Sequence, residues 1–186
     1  MIKYIASKSC ELDPFPASVL KRCLQILLPV IRLDYCNSIL YGLPAYQIAE
    51  IQRVQNAAAR LVCKVPRFAH ITPYLKELHW LPVKFRIKFK ILVLTFQEIC
   101  GLAPQYLCEL IRIQDHLCHY LRSNDELLLA VPSSKSLSTL GERAFQLAAP
   151  CLWNGLPKEI RQIQSLFSFK KQLKTFLLRA AYNVST

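Results

Sequence analysis

The sequence contains little glycine and few acidic residues, and both shortages limit its chemistry. Glycine occurs only four times in 186 residues. A Walker loop, a dinucleotide-binding fingerprint and a Gly-x-Ser-x-Gly elbow all need closely spaced glycines, so these motifs are excluded. The carboxylates are scattered, and the adjacent pair Asp125 and Glu126 lies in a polar stretch typical of a loop. A two-metal site needs several converging carboxylates and is therefore not predicted.

Metal-binding and nucleophilic motifs are also missing. None of the eight cysteines forms a Cys-x-x-Cys pair, which argues against a zinc ribbon or a thioredoxin-type redox site. The densest group of possible zinc ligands comprises Cys108, His116, Cys118 and His119. It lacks the short Cys-x2-Cys or His-x3-His spacing that lets two ligands from one turn reach the same ion. Cys151 and His79 match a nucleophile and base by residue type alone. We therefore predict no catalytic residue, no metal and no cofactor.

Long apolar runs are absent as well. No run reaches the roughly 18 residues needed to span a bilayer, and the N-terminal stretch lacks the apolar core of a signal peptide. These features predict an intracellular protein, nuclear or cytoplasmic, with reduced thiols and no membrane partner. They do not indicate its oligomeric state.

Basic residues, by contrast, are abundant. Lys and Arg number 24 against 12 acidic residues, a net charge of +12, and 53% of the residues are hydrophobic, which favours a folded chain. A strongly basic protein attracts polyanions. RNA or another single-stranded nucleic acid, bound without sequence preference, is therefore the predicted partner. A basic pI is also common in fragments of larger proteins, whose acidic parts lie elsewhere.

Apolar spacing predicts a mostly α-helical fold, an irregular helical domain of about six to eight helices with a short extended loop or hairpin near 121–140. In the segment from Pro44 to Pro66, the predicted core-facing stripe comprises Ile48, Ile51, Val54, Ala58 and Leu61, with Gln52, Arg53 and Arg60 facing away. Later, Pro150 interrupts a helical pattern. Further helices are predicted in 13–31, after Thr72, from Val83 to Cys100 and in 165–183.

The stretch "VKFRIKFKI" allows two interpretations. Its strict alternation fits a half-buried strand with one basic face, but the run between Pro82 and Gly101 is too long for a typical strand, so we predict a helix. Basic residues interleaved with aromatic ones suit nucleic-acid binding, although the solvated face of a core helix looks the same. The predicted nucleic-acid contacts on this segment and on the last helix are Lys84, Arg86, Lys88, Lys90, Lys170, Lys171 and Lys174.

From Leu33 to about Leu178 the chain resembles the C-terminal region of reverse transcriptases from LINE-type (jockey-like, non-LTR) retrotransposons of animals. The stretches that carry the resemblance occur in the family's order; they are "DYC", "NAAARL", "ELHWLP", "GLAP" and "LWN". Residues from about 6 to 31 resemble the stretch that leads into the polymerase fingers. The seam near Ile31 and Arg32 thus marks the place where such an enzyme has its catalytic palm.

The resemblance implies two units: residues 1–31, a short helical lead-in to the fingers, and 32–186, a thumb-like helical region. No position corresponds to the family's Tyr-x-Asp-Asp box, so no catalytic residue is implied. Family membership predicts template RNA or an RNA–DNA duplex as ligand, held through its phosphates. We expect a non-enzymatic remnant that binds RNA weakly. The alternative is a translated transposon relic without evolved activity, acting at most as a protein-interaction module.

Overall fold

The computed structural model describes residues 37–105, 110–113, 127–132 and 145–182. These ranges are mostly α-helical, which confirms the predicted fold class. A 3₁₀-helix, Asn37–Leu40, precedes six α-helices: α1 (Ala45–Cys63), α2 (Thr72–Glu77), α3 (Val83–Ile99), α4 (Phe145–Asn154), α5 (Lys158–Arg161) and α6 (Leu166–Tyr182). None of the helices in the described ranges is both long and apolar enough to cross a membrane.

Several predictions fall on residues that the structure does not describe. These are the helical segment within 1–31, the zinc candidates Cys108, His116, Cys118 and His119, the pair Asp125 and Glu126, and most of the stretch 121–140. The division of the chain into 1–31 and 32–186 stays a prediction for the same reason.

Helix α3 is the centre of the described fold. It contacts the 3₁₀-helix, α1, α4 and α6, so it buries side chains on most of its surface. Its bounds agree with the predicted helix because Pro82 precedes it and Gly101 follows it. Gly101 has a φ of 67°, and the amides of Gly101 and Leu102 donate to the carbonyls of Glu98 and Gln97. This pairing is a Schellman motif, which satisfies the last carbonyls of a helix.

Aromatic side chains from three helices form the centre of the largest hydrophobic cluster. Phe96 of α3 and Phe169 of α6 stack with ring centroids 4.3 Å apart, and Trp153 of α4 lies 5.8 Å from Phe169. All three are at most 2% exposed. Buried aromatic surface of this size dominates core energetics, so these contacts hold α3, α4 and α6 together.

The predicted apolar stripe of α1 is partly wrong. Val54 and Leu61 are each 40% exposed, whereas Gln55 is only 1% exposed. The reason is a pair of polar contacts to the start of α3. Gln52 Oε1 accepts a hydrogen bond from the amide of Val83 at 2.8 Å, and Gln55 Nε2 donates to the carbonyl of Leu81 at 2.8 Å. Gln52, predicted to face away, therefore caps the neighbouring helix.

The described part of the predicted extended stretch, 127–132, pairs with distant residues. Leu129 forms an isolated antiparallel bridge with Ile113. The backbone of Leu129 also pairs with the side chain of Asn154. The Asn154 side chain accepts a hydrogen bond from the Leu129 amide at 3.0 Å and donates one to the Leu129 carbonyl at 2.9 Å. Trp153 Nε1 donates to the carbonyl of Leu127 at 2.8 Å. The Trp-Asn pair of α4 thus holds this segment against the core.

Pro150 does not interrupt α4, contrary to the sequence-based expectation. The helix runs through it from Phe145 to Asn154. Proline lacks an amide hydrogen and cannot make the usual bond to the carbonyl of Gln146. Pro150 is nevertheless fully buried, so its packing in the core offsets the lost hydrogen bond.

Candidate nucleic-acid interface

Helix α3 divides its four basic residues into two pairs. In a strand, Lys84, Arg86, Lys88 and Lys90 would share one face, but a helix brings together residues four apart. Lys84 and Lys88 line one groove, whereas Arg86 and Lys90 line another. The single basic face suggested by the alternating sequence is therefore wrong, because the segment is helical.

The groove at Arg86 and Lys90, which we call the Trp80 groove, combines basic and aromatic side chains. Its volume is about 520 Å³. It is lined by Asn37, His79, Trp80, Leu81, Arg86, Phe89, Lys90 and Lys174, and none of these residues is acidic. The 3₁₀-helix, α3, α6 and the turn after α2 all contribute to it.

Trp80 is placed by the way α2 ends. The His79 amide donates to the carbonyl of Lys76 at 3.0 Å, and the Trp80 amide donates to the carbonyl of Leu75 at 2.9 Å. His79 occupies the left-handed position of this Schellman motif, with a φ of 51°. Trp80 then packs against the cluster that contains Leu75, and its carbonyl accepts a hydrogen bond from the Tyr182 hydroxyl of α6. Both backbone and side chain thus fix the indole.

Arg86 is held beside this indole. Its Nε donates to the carbonyl of Leu81 at 3.1 Å, and its guanidinium carbon lies 5.8 Å from the Trp80 ring centroid. The same carbonyl accepts from buried Gln55. The positive charge of Arg86 also reaches Tyr182: it lowers the pKa of the Tyr182 hydroxyl, although burial, the larger effect, raises that pKa to about 12. Arg86 therefore supplies a fixed, planar positive charge within the groove.

Lys90 and Lys174 complete the positive lining of the Trp80 groove. Lys90 belongs to α3 and Lys174 to α6, and both side chains are exposed. The Trp80 groove thus contains lysines from both segments that were predicted to contact nucleic acid, α3 and α6. The other lining residues Asn37, His79, Trp80 and Phe89 were not among the predicted nucleic-acid contacts. Trp80 and Phe89 carried a usable signal, because aromatic residues lay within or next to the predicted basic segment.

Lys84 and Lys88 lie at a different, largely apolar groove of about 450 Å³. Its lining includes Leu40, Ile48 and Ile87. Burial lowers the pKa of Lys88, and the nearby positive charge of Lys84 lowers it further. The Lys88 ammonium also lies 5.6 Å from the Phe85 ring centroid. These two lysines therefore lie in a different groove from Lys90 and Lys174.

The remaining predicted lysines lie elsewhere on α6. Lys171 lines a groove between α5 and α6 together with Arg179 and Glu159. Lys170 is exposed and does not line any of these three grooves. Of the seven predicted contacts, the structure thus brings together Arg86, Lys90 and Lys174 in one groove and Lys84 and Lys88 in another, whereas Lys170 and Lys171 lie apart from both groups.

The residues considered for nucleophilic chemistry line different surfaces. His79 lies in the Trp80 groove, whereas exposed Cys151 of α4 is close enough to Tyr41 to affect its pKa, which burial mainly raises. Within the described ranges, no group of three His, Cys, Asp or Glu residues is placed to hold a metal ion.

The Trp80 groove brings together cationic side chains of α3 and α6 with the aromatic side chains of Trp80 and Phe89. Comparison of the chain with protein-family models, with curated proteins and with solved structures found no match.

Proposed function

We propose that this chain binds single-stranded RNA, weakly and without sequence preference, through the Trp80 groove. The observation that carries the proposal is the convergence of Lys90 and Lys174 on a groove that also contains Trp80 and Arg86 and has no acidic lining. Lysine ammonium groups bind phosphate oxygens, and aromatic or guanidinium planes stack on bases. An RNA strand offers both kinds of contact.

The size and charge of the molecule also support this function. A cavity of about 520 Å³ lies within the usual range for sites that bind small ligands, so it suits one nucleotide of a strand. The net charge of +12 attracts a polyanion from a distance. Arg86 is already fixed by Leu81 and Trp80, which reduces the entropy lost on binding.

We further propose that the chain is a non-catalytic remnant of a LINE-type reverse transcriptase. The support is the ordered series of stretches from "DYC" to "LWN", together with the lack of a Tyr-x-Asp-Asp box. In such a remnant, RNA binding is the part of the parent activity that does not need the palm. Primer extension by the pure protein would contradict this assignment.

The alternative, a relic acting as an interaction module, needs an exposed apolar face on α3 or α6. In the stretch "ILVLTF" of α3, all residues except half-buried Leu94 are buried. In α6, Phe167 is 78% exposed, but Phe169, Leu173 and Leu177 are buried. The core-facing apolar side chains of these two helices are thus covered within the described structure, and this burial does not favour a protein-binding face there.

The proposed mechanism is tested by the salt dependence of RNA binding. Two phosphate contacts to a single strand give a slope of about −1.4 in a plot of log affinity against log salt. Affinity for a labelled oligonucleotide should therefore fall about sevenfold between ~50 and ~200 mM salt, measured by fluorescence anisotropy. An affinity that does not change with salt would mean that the lysines do not bind phosphates.

A further inference from the structure

One side chain in the Trp80 groove has an unused hydrogen-bonding atom. Asn37 is only 5% exposed, and its Oδ1 is buried without a hydrogen-bond partner. Most buried side-chain oxygens have a partner, and leaving one without costs stability. Asn37 also lines the groove, and rotation about its broad terminal torsion would bring this oxygen to the groove surface. The oxygen therefore lacks a hydrogen-bond donor.

Three features of the groove together define the chemistry of its ligand. Lys90 and Lys174 attract an anion, and Asn37 Oδ1 accepts from an N–H group. Phe89 and the Arg86 guanidinium beside Trp80 provide flat surfaces on which a planar ring stacks. A nucleotide unites a phosphate, a planar ring and ring N–H donors in one small molecule.

We propose that the Trp80 groove holds one unpaired nucleotide whose base donates an N–H hydrogen bond to Asn37 Oδ1. This inference rests on the proposed RNA binding and adds how the base is held. Every RNA base has an N–H donor on the edge used for base pairing. Asn37 therefore accepts from any of the four bases, but only when that edge is free. The contact selects single strands over duplexes without selecting a sequence.

The experiment compares two labelled probes of equal length and charge. One is oligouridylate, and the other is the same strand with every uracil methylated at N3, which removes the ring N–H and keeps the phosphates. Wild-type protein should bind oligouridylate about five- to tenfold more tightly, the range expected for one buried hydrogen bond. Asn37→Ala should reduce this ratio to about one, while Ser38→Ala, at the neighbouring position, should leave it unchanged.

The outcomes separate this inference from the proposed function. If wild-type protein binds both probes equally and with the expected salt dependence, the groove contacts phosphates only and the base contact is refuted. If neither probe binds, the proposed function fails together with the inference. The two-probe comparison on wild-type protein decides the matter even if Asn37→Ala does not fold. A preference for uridine that persists in folded Asn37→Ala would also overturn the inference, because another group would then read the base.

Discussion

Glu98 gives the sharpest prediction about stability, because it is a carboxylate buried in the core. It lies on the inner part of α3 and is 7% exposed, so its carboxylate is largely removed from water. Burial raises the pKa of Glu98 from 4.5 to about 7, and a hydrogen bond from the Ile111 backbone lowers it by a smaller amount. The protonated form is thus the one that the folded protein favours.

The sign and size of the effect follow from this pKa. Between 4.5 and about 7 the folded state binds more protons at Glu98 than the unfolded state does, so stability falls as pH rises through this range. One pKa unit corresponds to about 1.4 kcal/mol, so the ionised carboxylate costs about 3 kcal/mol well above pH 7. Glu98→Gln keeps the shape and removes the charge. Its stability relative to wild type should rise by about 2 to 3 kcal/mol between pH 5 and pH 8.

This difference is measured by urea unfolding at pH 5 and at pH 8, with circular dichroism and tryptophan fluorescence as the two signals that monitor unfolding. Each protein serves as its own reference, so any pH-independent cost of the amide cancels. Glu50→Gln, at an exposed position of α1, is the matched control and should show the pH dependence of wild type. Parallel pH dependence of wild type and Glu98→Gln would refute the reasoning, since Glu98 would then ionise as readily in the folded protein as in the unfolded chain.

Three further substitutions test local features of the fold. Gly101→Ala should cost about 1 kcal/mol in urea unfolding, purely from its φ of 67°, because an added Cβ meets no atom within 4 Å. Gly155→Ala should cost less than about 0.5 kcal/mol, since its Cβ would make ordinary contacts of 3.5 and 3.6 Å; equal costs would contradict this explanation. Asn154→Ala should cost about 2 to 4 kcal/mol because it removes both partners of the buried Leu129 backbone, and a loss below ~0.5 kcal/mol would show that the extended segment does not depend on it.

Helix positions were predictable where the sequence carries local signals. Pro82 and Gly101 delimit α3 at nearly its observed ends, and the helix predicted within 165–183 matches α6. The inward face of α1 was predicted less well. Gln55 is buried because its amide reaches the carbonyl of Leu81, a contact across 26 residues that periodicity does not detect. Polar side chains that cap another helix look like surface residues in sequence.

The candidate site was predictable only in part. The basic residues were visible, but the alternation from Lys84 to Lys90 suggested a single face, and the helix separates Lys84 from Lys90. The Trp80 groove combines α3 with Lys174 of α6 and Asn37 of the 3₁₀-helix. Such a combination depends on tertiary packing, so it was not accessible from local patterns. Asn37 carried no signal at all, because its importance comes from burial without a partner.

The most direct test of the central claim compares two double variants that remove the same charge from different surfaces. Lys90→Ala with Lys174→Ala removes both lysines of the Trp80 groove, whereas Lys84→Ala with Lys170→Ala leaves that groove intact. Each variant's affinity for single-stranded RNA is measured across the same salt range. Binding at the groove predicts that the first pair loses most of the salt-dependent affinity, its slope becoming shallower by about 1.4, while the second pair retains the wild-type slope. Equal losses in the two pairs would contradict the claim and show that RNA binds by general surface charge.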